Sequence, residues 1–232
     1  MSKRIFLLVF LIIFAGCTAA GRTASKGVYH TVKAGETLWR ISRTYEVDMQ
    51  EVAEMNNIKD PTMIKSGQRI FISGAARTLD VPPPKQTIPI GEGDAKNAVI
   101  EEEPRLRKEP ERFLWPIKGE IAVPFGMRAG EKHDGIDIRA PLGTLFCAAG
   151  DGEVVHTAED MRGFGYIIII RHEADFYTVY AHNEKNLVKN GDRVKAGEHI
   201  GTVGRSGSAS EPLLHFEVRE GKKIRNPLFF LP

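Results

Sequence analysis

The apolar positions of this chain follow different periods in successive segments. Residues 5–14 are an unbroken run of ten apolar residues, preceded by Lys3 and Arg4 and followed by Ala15, Gly16 and Cys17. As a helix such a run spans about 15 Å, half of a bilayer's hydrocarbon core. A positive start, a short apolar core and a small-residue exit predict a secretory signal over residues 1–16 rather than a membrane span. A short segment, 17–27, then leads into a folded pattern. Val28-Tyr29-His30-Thr31-Val32 reads as a strand, and Leu38, Ile41 and Tyr45 fall at i, i+3 and i+7 on one helix face. Asp48-Met49-Gln50-Glu51 has the form of a capping box with aspartate as the cap, predicting a second helix from Met49 to near Asn56-Asn57. Residues 67–72 close with a second strand, so residues 28–72 predict a small β-α-α-β module.

Periodicity then disappears. Residues 73–112 hold 6 of the 13 prolines, including Pro82-Pro83-Pro84, with eight acids, seven bases and few large apolar side chains. Such a segment buries too little surface to offset its ordering entropy, which predicts a disordered tether. About 40 flexible residues have a root-mean-square span of roughly 35 Å. From residue 113 the signals are strands and turns. Residues 166–170 are an apolar run, residues 176–180 are rich in aromatic and β-branched types, and Asp151-Gly152 and Asn190-Gly191 are hairpin turns. Val194 and residues 200–203 and 213–218 continue the pattern. The predicted fold class is a small α+β module, a flexible linker, and a mostly antiparallel all-β domain over residues 113–232.

Charge changes this picture little. The formal net charge is +2, and removal of residues 1–16 takes away Lys3 and Arg4 and no acid, leaving a neutral chain. That argues against nucleic acid as a partner. The two cysteines are Cys17 and Cys147. If Cys17 is modified, no disulfide forms within the fold.

The candidate chemistry lies in the histidines. In His133-Asp134-Gly135-Ile136-Asp137, a straight strand would hold His133 and Asp137 roughly 13 Å apart, too far for one metal. Gly135 offers a bend that lets them converge. In Leu213-Leu214-His215-Phe216-Glu217-Val218, alternation assigns Leu214, Phe216 and Val218 to the core and Leu213, His215 and Glu217 to the other face. In Thr178-Val179-Tyr180-Ala181-His182, it places His182 on the face opposite Val179 and Ala181. His30, His156, His172 and His199 have no paired ligand motif and read as structural or surface residues. Cys147 reads as a small buried residue.

Three resemblances follow. Phe14-Ala15-Gly16-Cys17 resembles the lipobox of bacterial lipoproteins, which implies a lipid on Cys17 and a membrane anchor. The implied location is the cell envelope, facing the periplasm. Thr18 is not the aspartate that often marks inner-membrane retention, so the outer membrane is favoured. Val32-Lys33-Ala34-Gly35-Glu36-Thr37-Leu38-Trp39 and residues 64–72 resemble a LysM domain. This implies binding of N-acetylglucosamine-containing glycan, usually peptidoglycan, in a groove lined by Gly35, Glu36, Thr37 and Leu38 and by Met63, Ile64 and Lys65. His133-x-x-x-Asp137, Tyr180-Ala181-His182, His215-Phe216-Glu217-Val218, Trp115-Pro116 and Phe125-Gly126-x-Arg128 resemble the lysostaphin/LytM-type zinc metallopeptidases. That resemblance implies one zinc ion held by His133, Asp137 and His215 with an open fourth position. It also implies His182 as a catalytic group, Arg128 and Tyr180 as substrate contacts, and peptidoglycan peptides as substrate.

The chain departs from this family at one position. The family motif is usually His-x-His, and its first histidine is a catalytic partner; here that position is Leu213. A leucine there neither donates nor accepts a hydrogen bond, and loss of one transition-state donor costs on the order of 10²–10³ in rate. The intact ligands favour a peptidoglycan endopeptidase. The alternative is a catalytically weak or inactive activator of a cell-wall amidase, since the layout also resembles lipoproteins with a LysM module and a degenerate domain of this family.

Overall fold

The computed structural model describes residues 26–83, 103–128 and 130–232, with the side chain of Arg128 left out. The signal segment, Cys17 and the middle of the tether lie outside the described residues. The chain divides into two compact units, one within residues 25–108 and one from residue 109 onward. Among the described residues no helix is long and apolar enough to cross a membrane.

The first unit pairs β1 (Gly27–Thr31) antiparallel with β2 (Arg69–Ser73), and between them run α1 (Leu38–Thr44) and α2 (Met49–Met55). The caps explain where the helices start. Thr37 accepts from the Arg40 N–H, and Asp48 accepts from the Glu51 N–H. Leu38, Ile41, Val52, Ala53, Ile70 and Ile72 form the core. The Asn56 side chain closes α2 onto β2 by bonding both the N–H and the C=O of Phe71. His30 is buried, with Nδ1 3.1 Å from the Tyr45 hydroxyl and Nε2 2.8 Å from Glu36 Oε2.

The module extends beyond its second strand. Ala75, Leu79, Val81 and Leu106, which the sequence assigns to the tether, pack against the same core. The Tyr45 hydroxyl accepts from the Leu79 N–H, and the Gln50 side chain bonds both backbone groups of Arg107. These few apolar residues, spaced too far apart to show a period, find their partners on the module surface.

The second unit is a β domain. Its strands are β3 (Glu120–Val123), β4 (Gly126–Arg128), β5 (Glu131–His133), β6 (Ile136–Arg139), β7 (Leu145–Cys147), β8 (Gly152–Met161), β9 (Gly165–Arg171), β10 (Phe176–Asn186), β11 (Arg193–Val194), β12 (His199–Val203), β13 (Leu213–Glu220) and β14 (Lys223–Arg225). One sheet runs in the order β11-β8-β9-β10-β13-β6-β3, with β12 bridging β10 to β7 and β14 on β13; β4 and β5 form a separate hairpin. Every pairing is antiparallel. One face carries the main core of Ile136, Ile138, Phe146, Tyr180 and Phe216, all fully buried. The other face carries a smaller cluster of Ile167, Val179 and Ala181, and this is the face of the site.

Candidate metal centre

The site is built where β6 lies between β3 and β13. Asp137 on β6 stands directly opposite His215 on β13, so strand register brings a carboxylate and an imidazole together. Ile136 and Ile138 flank Asp137 and point into the core, as do Leu214 and Phe216 beside His215. His133 arrives from the β4–β5 hairpin. Its Nδ1 lies 3.0 Å from the Pro124 carbonyl, which turns Nε2 towards Asp137 at 3.2 Å. His215 Nδ1 lies 2.7 Å from the same Asp137 Oδ1. The His133 and His215 rings are 5.1 Å apart, and one donor atom from each of the three residues lies within 4.8 Å of the others.

Gly135 serves this convergence by its size. It does not adopt a left-handed backbone, but a Cβ there would lie 2.5 Å from the Phe216 carbonyl and 2.9 Å from His215 Cε1. The sequence reading assigned it a bend; the structure requires close approach.

His182 reaches the site by a device that alternation does not predict. Ala181 stands opposite His215 and Tyr180 opposite Phe216, so strict alternation would put His182 in the core. The register shifts between Ala181 and Asn183, and His182 takes φ +63°. This β-bulge turns the side chain back to the site face, with its ring 5.8 Å from that of His215. Its N–H donates to the Phe164 carbonyl, and its Nδ1 sits 2.9 Å from the Ser206 carbonyl. A non-glycine residue in this conformation is held there by its surroundings.

The electrostatics follow from burial and partners. Burial would raise the Asp137 carboxyl, but hydrogen bonds from His133 and His215 outweigh it and hold it well below the usual carboxylate range. Burial would lower His215, but Asp137 and Glu217 together push it up to about 9. His182 is lowered, first by burial and then by the charge on His215. Two imidazoles and one carboxylate converging on a point suit zinc as a ligand set.

The other sequence-predicted residues divide. Tyr180 is fully buried, stacked on Phe146, with its hydroxyl accepting from the Ala149 N–H. It belongs to the core and cannot touch a substrate; the bulge separates it from its neighbour His182. Leu38 is likewise fully buried in its module. Gly35 has φ +79°, Thr37 caps α1, and Glu36 accepts from the Lys33 N–H. Met63 is exposed, and Ile64 packs partly against the core. Lys65 is exposed. The backbone of Arg128 pairs with Glu131. Cys147 lies outside the donor cluster, and its thiol is pushed up by burial. Leu213 is buried two residues before His215, its N–H bonded to the Gly204 carbonyl. Sequence reasoning missed Glu217, Arg219, Ser206 and Phe164 as parts of the site. Glu217 alone carried a signal, its place on the same face as His215.

Comparison with known proteins adds the family. The description "Peptidase family M23" matches residues 131–227, and "LysM domain" matches residues 30–73. The uncharacterized lipoprotein YgeR of Escherichia coli is 37% identical, covering 98% of this chain and 92% of its own. The chain is a LysM-bearing member of peptidase family M23. The murein hydrolase activator NlpD of Escherichia coli is 29% identical over 89% of this M23 chain and 68% of its own. A zinc-containing peptidase from Vibrio cholerae is 29% identical, with a TM-score of 0.46 over 52% of this chain and 39% of its own. Within the matched M23 segment lie His133, Asp137, His182, Leu213 and His215.

Proposed function

We propose that this chain is an envelope lipoprotein, anchored through Cys17 and bound to peptidoglycan through its LysM domain, whose M23 domain activates a cell-wall amidase. The observation that carries this reading is Leu213. The ligand set is complete, yet the position two residues before His215 holds a buried leucine where the family's catalytic histidine stands. Support comes from two relatives, one named a lipoprotein and one a murein hydrolase activator. The outer membrane is the proposed location, on the ground that Thr18 follows Cys17.

His133, Asp137 and His215 would hold one zinc ion. Bound zinc supplies Lewis acidity towards a peptide carbonyl and a water molecule. The chain's own residues complete only part of what hydrolysis needs. His182, with Nδ1 turned to the Ser206 carbonyl, keeps Nε2 for a proton or an oxyanion at the site. Leu213 offers no second group. An idle but filled centre then serves to fix β5, β6 and β13 in one arrangement, which is a sound basis for a docking surface.

A second reading, a slow zinc endopeptidase acting on peptidoglycan peptides, is favoured by the bulge at His182. Strain of this kind is retained where a side chain must be aimed. The test is release of dye from labelled peptidoglycan by an amidase with and without the chain. Strong stimulation by the chain, with no release by the chain alone, supports the activator. Release by the chain alone supports the peptidase.

A further inference from the structure

We infer that Glu217, fixed by Arg219, is a positioning residue that sets the tautomer and orientation of His215 and so tightens metal binding. The inference rests on the zinc reading above. Glu217 lies two residues after His215 on β13, on the same face, and its side chain is 1% exposed. Its two carboxylate oxygens have separate tasks. Oε1 is 3.1 Å from His215 Nε2, while Oε2 accepts from Arg219 Nε at 2.7 Å and from its second guanidinium nitrogen at 2.6 Å.

A carboxylate can only accept, so it holds the proton of the imidazole at Nε2. That leaves Nδ1 to face Asp137 and the cluster of donor atoms. A buried carboxylate without a cation would be costly, and Arg219 answers that need from the side away from His215. Gly135 closes the arrangement. A Cβ there would lie 2.9 Å from His215 Cε1 and 3.0 Å from Glu217 Cγ, so both side chains fill the space that any larger residue at 135 would take. A ligating histidine backed by a carboxylate is oriented before the metal arrives and is a stronger base towards it, and loss of such a partner typically weakens metal binding 10–100-fold.

The test uses the chain from residue 18 onward, with both folded units. Zinc affinity is measured by competition with a chromophoric chelator for the parent chain, Glu217→Gln and Glu217→Leu, over a pH series carried to about 9.5 and compared at the high-pH plateau, where no proton competes with the metal for His215. Circular dichroism and thermal melting of the metal-free proteins accompany each titration. Glutamine keeps the shape and one acceptor but removes the charge, so zinc affinity should fall by about tenfold while the fold is kept; leucine should cost more, nearer 100-fold. A merely structural ion pair would lower the melting temperature and leave the affinity of folded protein unchanged. Parent-level affinity in a folded Glu217→Gln chain overturns the inference while leaving the metal site standing. A parent chain that fails to bind zinc overturns both.

Discussion

Zinc binding to this chain should depend steeply on pH, and the cause is His215. Its imidazole is buried between Asp137 and Glu217, which push it up to about 9 despite the opposing effect of burial. A histidine raised in the folded state stabilises that state in full below its ordinary value of 6.5, and the benefit is lost as pH rises through 9. The difference corresponds to roughly 3 kcal/mol in the metal-free protein. Zinc needs the neutral imidazole, so binding at His215 expels this proton. Asp137 is held well below the usual carboxylate range, so it stays ionised and adds no slope near neutrality. The apparent zinc affinity should therefore rise nearly tenfold per pH unit, or roughly 20–30-fold between pH 7 and 8.5. Competition titrations at several pH values, corrected for protonation of the chelator, measure it directly. Melting of the metal-free chain gives an independent reading, since its midpoint should fall between pH 7 and 10. A flat affinity profile, or a metal-free chain that gains stability as pH rises, would refute the reasoning.

Three substitutions separate the site from its scaffold. Gly135→Ala introduces a Cβ 2.5 Å from the Phe216 carbonyl and should cost about 1–3 kcal/mol in chemical denaturation, with weaker zinc binding. Tyr180→Phe leaves the buried Ala149 N–H without its acceptor and should cost about 1–3 kcal/mol, yet leave zinc affinity unchanged in the chelator assay. Tyr45→Phe removes the hydroxyl that accepts from the Leu79 N–H and bonds His30, and should lower the urea midpoint of the LysM module by an amount equivalent to about 1 kcal/mol.

The parts of the fold legible in the sequence were those governed by local rules. Thr37 and Asp48 announce their helices because a side-chain cap acts within three residues. Alternation along Leu213–Glu220 separates Phe216 from His215 because that strand is regular beside β10 and β6. The parts that were not legible depend on contacts distant in the chain. Alternation assigned His182 by a face that the bulge reverses, and the bulge is held by carbonyls of Phe164 and Ser206. Tyr180 resembles a site residue because of its neighbour, but Phe146 and Phe216 claim its ring. Gly135 reads as a bend because a sequence does not show which carbonyl will occupy the space a side chain would need. Leu79 and Leu106 lie among prolines and charges, and only the folded module reveals the surface they cover.

The most direct test of the proposed function is the identity of the muropeptides released from purified peptidoglycan. The chain alone, its Leu213→His and His133→Ala variants, and the parent chain with a cell-wall amidase would be compared. The expected result is no peptide cleavage by the parent chain and a large gain of amidase products when the amidase is present. Leu213→His should show new peptide cleavage, because a donor worth on the order of 10²–10³ in rate is restored beside an intact ligand set. Peptide cross-links cut by the parent chain alone, and spared by His133→Ala, would contradict the activator reading and establish a peptidase that works without the second histidine.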